Sequence, residues 1–181
     1  MRPFARAIDG MVTWSRWLAL ATVLPVIAAS AEESGRSKWW LDLNLTSQHS
    51  RDTYFYRGRE HEYNPRNFGL GVTYDASSWY SVKSGWFNNS YHKTSLYALV
   101  EPHYDFLKSP NWLVAVGAGA GLVTGYNNTV DDLPVVSPMG ILTFSVADER
   151  RWHATIGYLP FRVLLGRDHA DVLTLQVGWK L

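Results

Sequence analysis

The chain has 181 residues, with nine Trp, ten Tyr, seven Phe and no Cys, and its formal net charge is +1. This length fits one domain, the balanced charge excludes the electrostatic footprint of a nucleic-acid-binding protein, and the lack of Cys excludes disulfides, thiolate nucleophiles and Cys-ligated zinc. Charged residues make up only 18% of the chain, and the mean hydropathy is slightly negative. A helical membrane protein and a disordered chain both fit poorly, so a compact soluble fold or a membrane β-barrel remains.

The first 31 residues have the pattern of a secretory signal peptide. Three Arg residues precede an apolar run at 17–29, which has the length of a signal-peptide core and is too short to span a bilayer. Small residues then occupy the −3 and −1 positions and predict cleavage before Glu32. We expect residues 1–31 to be a signal peptide and residues 32–181 to form an exported barrel, with an N-terminal anchor helix as the alternative.

Strict alternation of apolar and polar residues predicts β-strands throughout the exported part. In the first strand Leu alternates with Asp, Asn and Thr, which a soluble sandwich could bury only with many partners. In a membrane barrel these polar side chains face the interior while the Leu face meets lipid. Eight strands are predicted in chain order, at residues 39–48, 68–74, 79–87, 95–106, 112–123, 139–146, 152–159 and 172–181.

The connections between these strands alternate between short turns and longer loops, as in bacterial outer-membrane barrels. The predicted fold is therefore all-β, an eight-stranded antiparallel up-and-down transmembrane β-barrel, which we expect to be a monomer in the bacterial outer membrane. Aromatic residues at the strand ends have the placement of interfacial girdles, namely Trp39, Trp40, Trp79, Tyr80, Trp112, Trp152 and Trp179.

Three glycines share one face of the fifth predicted strand, Gly117, Gly119 and Gly121. If this face points inward, side-chain volume is missing from the barrel interior, and the space could hold an acyl chain. Alternatively, the glycines only relieve crowding or bend the strand.

Topology brings two reactive side chains to one end of the predicted barrel. His49 ends the first strand, and Ser90 follows the third, so both map to the rim that carries the long loops. A Ser beside a His is the minimal apparatus for acyl transfer. His49 continues the apolar, outward face of its strand, so alternation alone leaves its direction open. The six His residues show no metal-binding spacing, and we expect neither a metal nor another cofactor.

At these residues the chain resembles the lipid A palmitoyltransferase (PagP) family of outer-membrane enzymes. The resemblance follows the chain in order and covers most of the exported part. Its five motifs are His49-Ser50-Arg51 (His-Ala-Arg in the family), Tyr63-Asn64 with Phe68-Gly69 and Gly71, Phe87-Asn88-Asn89-Ser90 (Phe-Lys-Asp-Ser), the Leu-Pro-x-x-x-Pro at 133–138, and Tyr158-Leu159-Pro160 (Tyr-Ile-Pro).

The resemblance implies transfer of a palmitoyl chain from a glycerophospholipid to lipid A, with the chain held inside the barrel. It implies that His49 is the base or proton shuttle and Ser90 its hydroxyl partner. Asn89 takes the place of the family's Asp, where it could orient the imidazole without a charge. Arg51, Tyr63 and Asn64 would lie at the substrate site, where a guanidinium suits lipid A phosphates. Alternatively, Arg51 belongs to a solvated loop of mixed charge.

Prolines predict a lateral opening between the sixth and seventh strands. Pro134, Pro138 and Pro160 lack the N–H that a β-ladder needs, and broken ladders in a lipid-facing wall are costly unless they are used. The resemblance gives this opening the role of a lipid gate, whereas ordinary loop prolines are the alternative. The family's other opening has a proline before the His, and this chain has none there.

Two other functions remain open. A lipid A deacylase would use a His-x-Ser dyad late in the chain, and His153-Ala154-Thr155 is the nearest match. A non-catalytic barrel serving lipid binding, adhesion or membrane integrity is the third possibility, and the Asn at position 89 supports it.

Overall fold

A computed structural model describes residues 38–127, 133–148, 151–164 and 169–181. The predicted signal peptide lies outside the described residues. The elements in chain order are β1 (Trp39–His49), β2 (Thr53–Tyr56), β3 (Arg59–Glu62), β4 (Gly69–Ser77), β5 (Tyr80–Asn88), β6 (Thr94–Lys108), β7 (Leu113–Thr124), β8 (Val136–Asp148), β9 (Trp152–Leu159), the single helical turn α1 (Phe161–Leu164) and β10 (Val172–Lys180).

Eight of these strands close into an antiparallel barrel in the order β1-β10-β9-β8-β7-β6-β5-β4. The barrel closes because β1 pairs with β10 on one side and with β4 on the other. The predicted eight-stranded antiparallel barrel is therefore confirmed. We call the end that carries the β1–β4, β5–β6, β7–β8 and β9–β10 connections the long-loop end, and the opposite end the short-turn end.

A two-stranded hairpin, β2–β3, lies in the first long loop and was not predicted. Arg57 and Gly58 connect its strands with positive φ angles of 50° and 73°, which is the backbone of a tight hairpin turn that matches strand twist. Among the described residues no helix is long and apolar enough to cross a bilayer.

The outer surface of the barrel is apolar, because alternate residues of each strand point outward. Large exposed side chains include Leu41, Leu70, Leu96, Phe106, Leu142, Phe144, Ile156 and Leu173. Exposed Trp residues at the short-turn end are Trp39, Trp79, Trp112 and Trp179. Trp40 is an exception to the predicted girdle: it is buried, and its Nε1 donates a hydrogen bond to Asp75 Oδ2 at 2.7 Å.

Polar side chains fill the interior near the short-turn end. Asp42 has no solvent exposure. It accepts hydrogen bonds from Thr73 Oγ1 at 2.5 Å and from His153 Nε2 at 2.9 Å. The other His153 nitrogen lies 3.2 Å from Thr155 Oγ1, which is 2.8 Å from Ser145 Oγ. Since buried polar groups need partners, this network explains how Asp and His can occupy the barrel core.

A buried ion pair lies farther along the interior. Lys83 Nζ is 2.9 Å from Glu101 Oε1, and both side chains are buried. Removing one partner of such a pair typically costs about 3–5 kcal/mol, because the other charge stays buried without compensation. The pair joins β5 to β6 within the barrel interior.

Candidate functional site

A β-bulge in β1 decides where His49 points. Up to Asn44 the even-numbered residues of β1 face inward, but the register with β10 shifts between Asn44 and Thr46. The extra residue, Leu45, exchanges the two faces beyond it. Ser47 is consequently buried and His49 turns to the interior side of the rim, although its number places it on the outward face of a regular strand.

The structure brings His49 and Ser90 into direct contact. His49 Nε2 lies 2.5 Å from Ser90 Oγ, although 41 residues separate them in sequence. The Tyr63 ring stacks on the imidazole, with centroids 4.3 Å apart and planes within 1° of parallel. Stacking of this kind fixes the plane of the imidazole and therefore the direction of its nitrogens.

Asn64 fastens the chain around Ser90. Its backbone N–H donates to the Ser90 carbonyl at 2.8 Å, and its side-chain amide donates to the Asn89 carbonyl at 3.2 Å. Tyr63 and Asn64, expected at the substrate site, are thus adjacent residues of which one contacts the His49 ring and the other the backbone at Asn89 and Ser90.

The Asn89 side chain points away from the imidazole and into its own loop. Its Nδ2 donates to Ser95 Oγ and to the Gly125 carbonyl, each at 3.0 Å, and its Oδ1 accepts from the backbone N–H groups of Tyr91 and Lys93. The side chain is fully buried, with 0% exposure. Both N–H groups of the amide are used in these bonds, so none is left to donate to His49. Asn89 therefore stabilises the loop that contains Ser90 and does not itself orient the imidazole.

Tyrosines surround this cluster at the long-loop end. Tyr91 packs edge-on against Tyr63, and Tyr126 packs edge-on against Tyr91. Burial raises the pKa of Tyr63 and raises that of Tyr91 further, so both phenols stay protonated at neutral pH. Neither phenol therefore competes with the His49 imidazole as a base.

An internal cavity extends to Ser90 from inside the barrel. Ser90, Phe87 and Tyr126 line it near the long-loop end, and Lys83 and Glu101 line it midway along the strands. The space open to the centres of water molecules is about 90 Å³, several times the roughly 10–15 Å³ that one water needs. An acyl chain inserted into this cavity would therefore have the end nearest the long-loop end beside Ser90.

The three glycines of β7 lie behind this cavity. An added Cβ would come within 2.5 Å of Thr143 Oγ1 at Gly117 and within 2.8 Å of Ile141 Cγ2 at Gly119, and at Gly121 it would meet the Ala98 carbonyl. The glycine face of β7 points inward, which is the condition under which the glycines could leave space in the barrel interior. It makes room for neighbouring side chains that line the cavity, such as Thr143 and Ile141.

In the described residues the β8–β9 ladder stops short of the start of β8 at the long-loop end. The pairing runs from Asp148 only as far as Leu142, which pairs with Tyr158, so within this described part the start of β8 has no β9 partner. Pro138 lies on this open edge, and Pro160 follows the end of β9. Pro134 lies outside the ladder, and its carbonyl accepts a hydrogen bond from Ser137. The β8–β9 ladder therefore ends near Pro138 and Pro160, and a lateral opening at this place, with its use by lipid, remains a prediction.

The ladder between β1 and β4 also ends early, at Asn44 and Gly69. Beyond this point the β4 side is replaced by loop residues: the Pro65 carbonyl accepts from Ser47 N at 2.9 Å and Thr46 Oγ1 at 2.7 Å. The loop thus covers the second possible opening, without the proline that the resembled family has before its His.

Three further predicted residues take no part in the contact between His49 and Ser90. Arg51 is exposed in the first long loop, close enough for its charge to act on the Tyr63 phenol. His153 and Thr155, the deacylase candidates, belong to the buried network around Asp42. His153 is close to the start of β9, near the short-turn end, and so lies apart from the His49–Ser90 pair.

Several residues that line the cavity were not predicted from the sequence. Tyr97, Lys83 and Glu101 line the cavity, and a signal for two of them was present, because Tyr97 and Glu101 share the inward face of β6 with Ser95 and Leu99. In the described part of the chain no group of three His, Asp or Glu residues could hold a metal ion.

Comparison with known proteins shows the fold. No protein-family model matches the chain, and no curated protein matches it. A de novo designed transmembrane β-barrel is similar, with a TM-score of 0.52 and 13% identity over 83% of this chain and 100% of that chain. The N-terminal β-barrel domain of Pseudomonas aeruginosa OprF matches with a TM-score of 0.39 and 11% identity, over 81% of this chain and 99% of that chain. The chain has the fold of a small transmembrane β-barrel.

Proposed function

We propose that the protein is an outer-membrane acyltransferase that moves a palmitoyl chain from a glycerophospholipid to lipid A. The observation that carries the proposal is the 2.5 Å contact between His49 Nε2 and Ser90 Oγ at the end of an internal cavity that Ser90 lines. A hydroxyl in contact with an imidazole is the minimal apparatus for acyl transfer, and the cavity supplies a place for the chain.

The proposed reaction has two halves. With the donor chain in the cavity and its ester carbonyl at Ser90, His49 Nε2 takes the hydroxyl proton as Oγ attacks the carbonyl carbon. The lysophospholipid leaves with that proton, and the acyl group stays on Ser90. A lipid A hydroxyl then attacks the new ester while His49 accepts its proton, and the same proton returns to Ser90 Oγ as the acyl group departs.

The surroundings of the pair support a membrane substrate. The outer wall is apolar, so the cavity is surrounded by lipid, and the open edge of β8 would offer a sideways path from lipid into the cavity. The structural role of Asn89 bears on the alternative: since its amide holds the loop together, an amide in place of the family Asp does not in itself favour a non-catalytic barrel.

Mass spectrometry of lipid A from producing and non-producing cells tests the proposal. Wild-type protein is expected to add one 16-carbon acyl chain, because the palmitoyl group is conserved in the transfer. Ser90→Ala is expected to abolish the addition, whereas Ser78→Ala, an exposed Ser at the short-turn end, behaves as wild type.

Folding of each variant is checked by the heat-dependent mobility of barrels in gels. Unchanged lipid A in cells that contain folded wild-type protein would contradict the proposal. Loss of an acyl chain would contradict it as well, and would favour the deacylase.

A further inference from the structure

One wall of the cavity is polar, and part of it lacks hydrogen-bond partners. Asn44 on β1 and Gln176 on β10 are direct register partners, and Gln176 Nε2 donates to Asn44 Oδ1 at 3.1 Å. Asn44 Nδ2 and the Tyr97 hydroxyl are both buried and lie beside each other, but among the described residues neither has a partner at proper hydrogen-bond distance and angle. All three side chains line the cavity.

The Tyr97 hydroxyl reaches this wall across two neighbouring strands. Its ring passes over Gly85 on β5, where an added Cβ would lie 3.0 Å from Tyr97 Cε1, and its hydroxyl reaches Gly71 on β4, where an added Cβ would meet the oxygen. The hydroxyl thus lies beside the Asn44 and Gln176 side chains. Two glycines clear the path for this ring, so the hydroxyl is held at a defined place in the barrel.

Apolar side chains also line the cavity, among them Leu99, Ile141 and Leu159. A plain hydrocarbon chain would pack on these side chains but would leave Asn44 Nδ2 and the Tyr97 hydroxyl without a well-formed hydrogen bond and shielded from water. Burying polar groups without hydrogen bonds is unfavourable. Lys83 and Glu101 already bind each other, so their charges need no ligand.

We propose that the cavity binds an acyl chain that carries a hydroxyl group along its length, seated against Asn44 and Tyr97, in preference to a plain hydrocarbon chain. The hydroxyl would accept from the Asn44 amide and exchange a hydrogen bond with the Tyr97 phenol, while the methylene groups pack on the Leu99 side. This inference rests on the proposed function for the acyl nature of the ligand, and it refines the palmitoyl chain that the family resemblance implies.

Competition binding to the purified exported protein tests this preference without any transfer step. The protein is offered hexadecanoic acid together with hydroxyhexadecanoic acids whose hydroxyl stands at successive carbons, and the bound species are identified by native mass spectrometry. One hydroxy isomer is expected to be bound in about 3–10-fold excess over hexadecanoic acid, the effect of one or two hydrogen bonds.

Variants of the lining residues test whether Asn44 and Tyr97 cause the preference for a hydroxy acid. Tyr97→Phe keeps the ring over Gly71 and Gly85 but removes the hydroxyl, and it is expected to reduce the excess severalfold, as is Asn44→Leu. Tyr104→Phe removes a phenol hydroxyl from the exposed, outer face of the same strand as Tyr97 and is expected to keep the preference.

Two results overturn the inference: hexadecanoic acid binding as well as every hydroxy isomer, or a preference unchanged in both Tyr97→Phe and Asn44→Leu. Its failure is distinct from failure of the proposed function. A protein that prefers hydroxy acids but transfers no acyl chain refutes only the transferase. A protein that transfers palmitoyl chains without such a preference refutes only this inference.

Discussion

Asn89 stands where the resembled family has Asp, and its hydrogen bonds show why an amide suits this loop. An amide can donate to the Ser95 hydroxyl and the Gly125 carbonyl while it accepts from two backbone N–H groups. A carboxylate can only accept. At this position it would face the Gly125 carbonyl with a buried negative charge.

We therefore predict that Asn89→Asp destabilises the barrel and does not increase transfer. The expected loss is about 1–3 kcal/mol of unfolding free energy, the cost of leaving buried partners unsatisfied, measured by urea unfolding in lipid vesicles. Asn88→Asp is the matched control, because the neighbouring Asn88 is exposed. Unchanged stability together with faster transfer would show that this position serves the imidazole instead.

At the scale of the single strand, the bulge at Leu45 explains how one sequence can show apolar alternation and still bring His49 inside. Residues before the bulge follow one face, and Ser47 and His49 follow the other. Since side chains alternate with a period of two, the number of residues between the bulge and His49 sets the direction of the imidazole.

Two single-residue deletions in β1 should therefore have opposite effects. Deleting Leu45 removes the bulge but leaves Ser47 and His49 facing inward, so most of the transfer activity is expected to remain. Deleting Gln48 reverses the direction of His49 alone and is expected to abolish transfer while the barrel still forms. The assay is the lipid A mass spectrum, with gel mobility as the check of folding. Equal activity of the two deletions would refute the role of the register.

The open edge between β8 and β9 can be closed covalently, because the chain has no Cys of its own. Continuing the register beyond Leu142 and Tyr158 places Ile141 opposite Leu159. We predict that an oxidised Ile141→Cys/Leu159→Cys pair slows transfer, because lipid can no longer pass the opening, and that dithiothreitol restores the rate.

A control disulfide can be placed in the paired part of the same β8–β9 ladder. Phe144 and Ile156 are register partners that face lipid, so an oxidised Phe144→Cys/Ile156→Cys pair is expected to leave the rate unchanged. If both disulfides slowed transfer equally, or if neither did, the β8–β9 edge would not be the path of the donor lipid.

For the whole molecule, the sequence was sufficient to predict the barrel because strand alternation is a local signal. The eight barrel strands were expected within a few residues of their observed bounds, and the contact between His49 and Ser90 followed from topology and family resemblance. What could not be predicted depends on contacts between distant residues. The bulge is defined only by pairing with β10, and the direction of the Asn89 side chain depends on Gly125 in another loop.

The cavity was beyond sequence reasoning for the same reason. Its polar wall forms only when the Tyr97 ring crosses Gly85 and Gly71, which lie on two other strands. The glycines of β7 predict missing side-chain volume, and in the structure they leave room for the neighbouring side chains that line the cavity. The length and composition of the chain specify a small barrel, whereas long-range packing decides what the barrel can hold.

Joint action of His49 and Ser90 in acyl transfer can be measured directly. The most direct measurement uses the purified protein in vesicles that contain lipid A and a glycerophospholipid with a deuterated palmitoyl chain, and follows the label by mass spectrometry. Wild-type protein is expected to produce labelled lipid A, and folded His49→Ala or Ser90→Ala to produce none above background. Labelled lipid A formed at the wild-type rate by either variant would show that the two residues do not carry out the transfer.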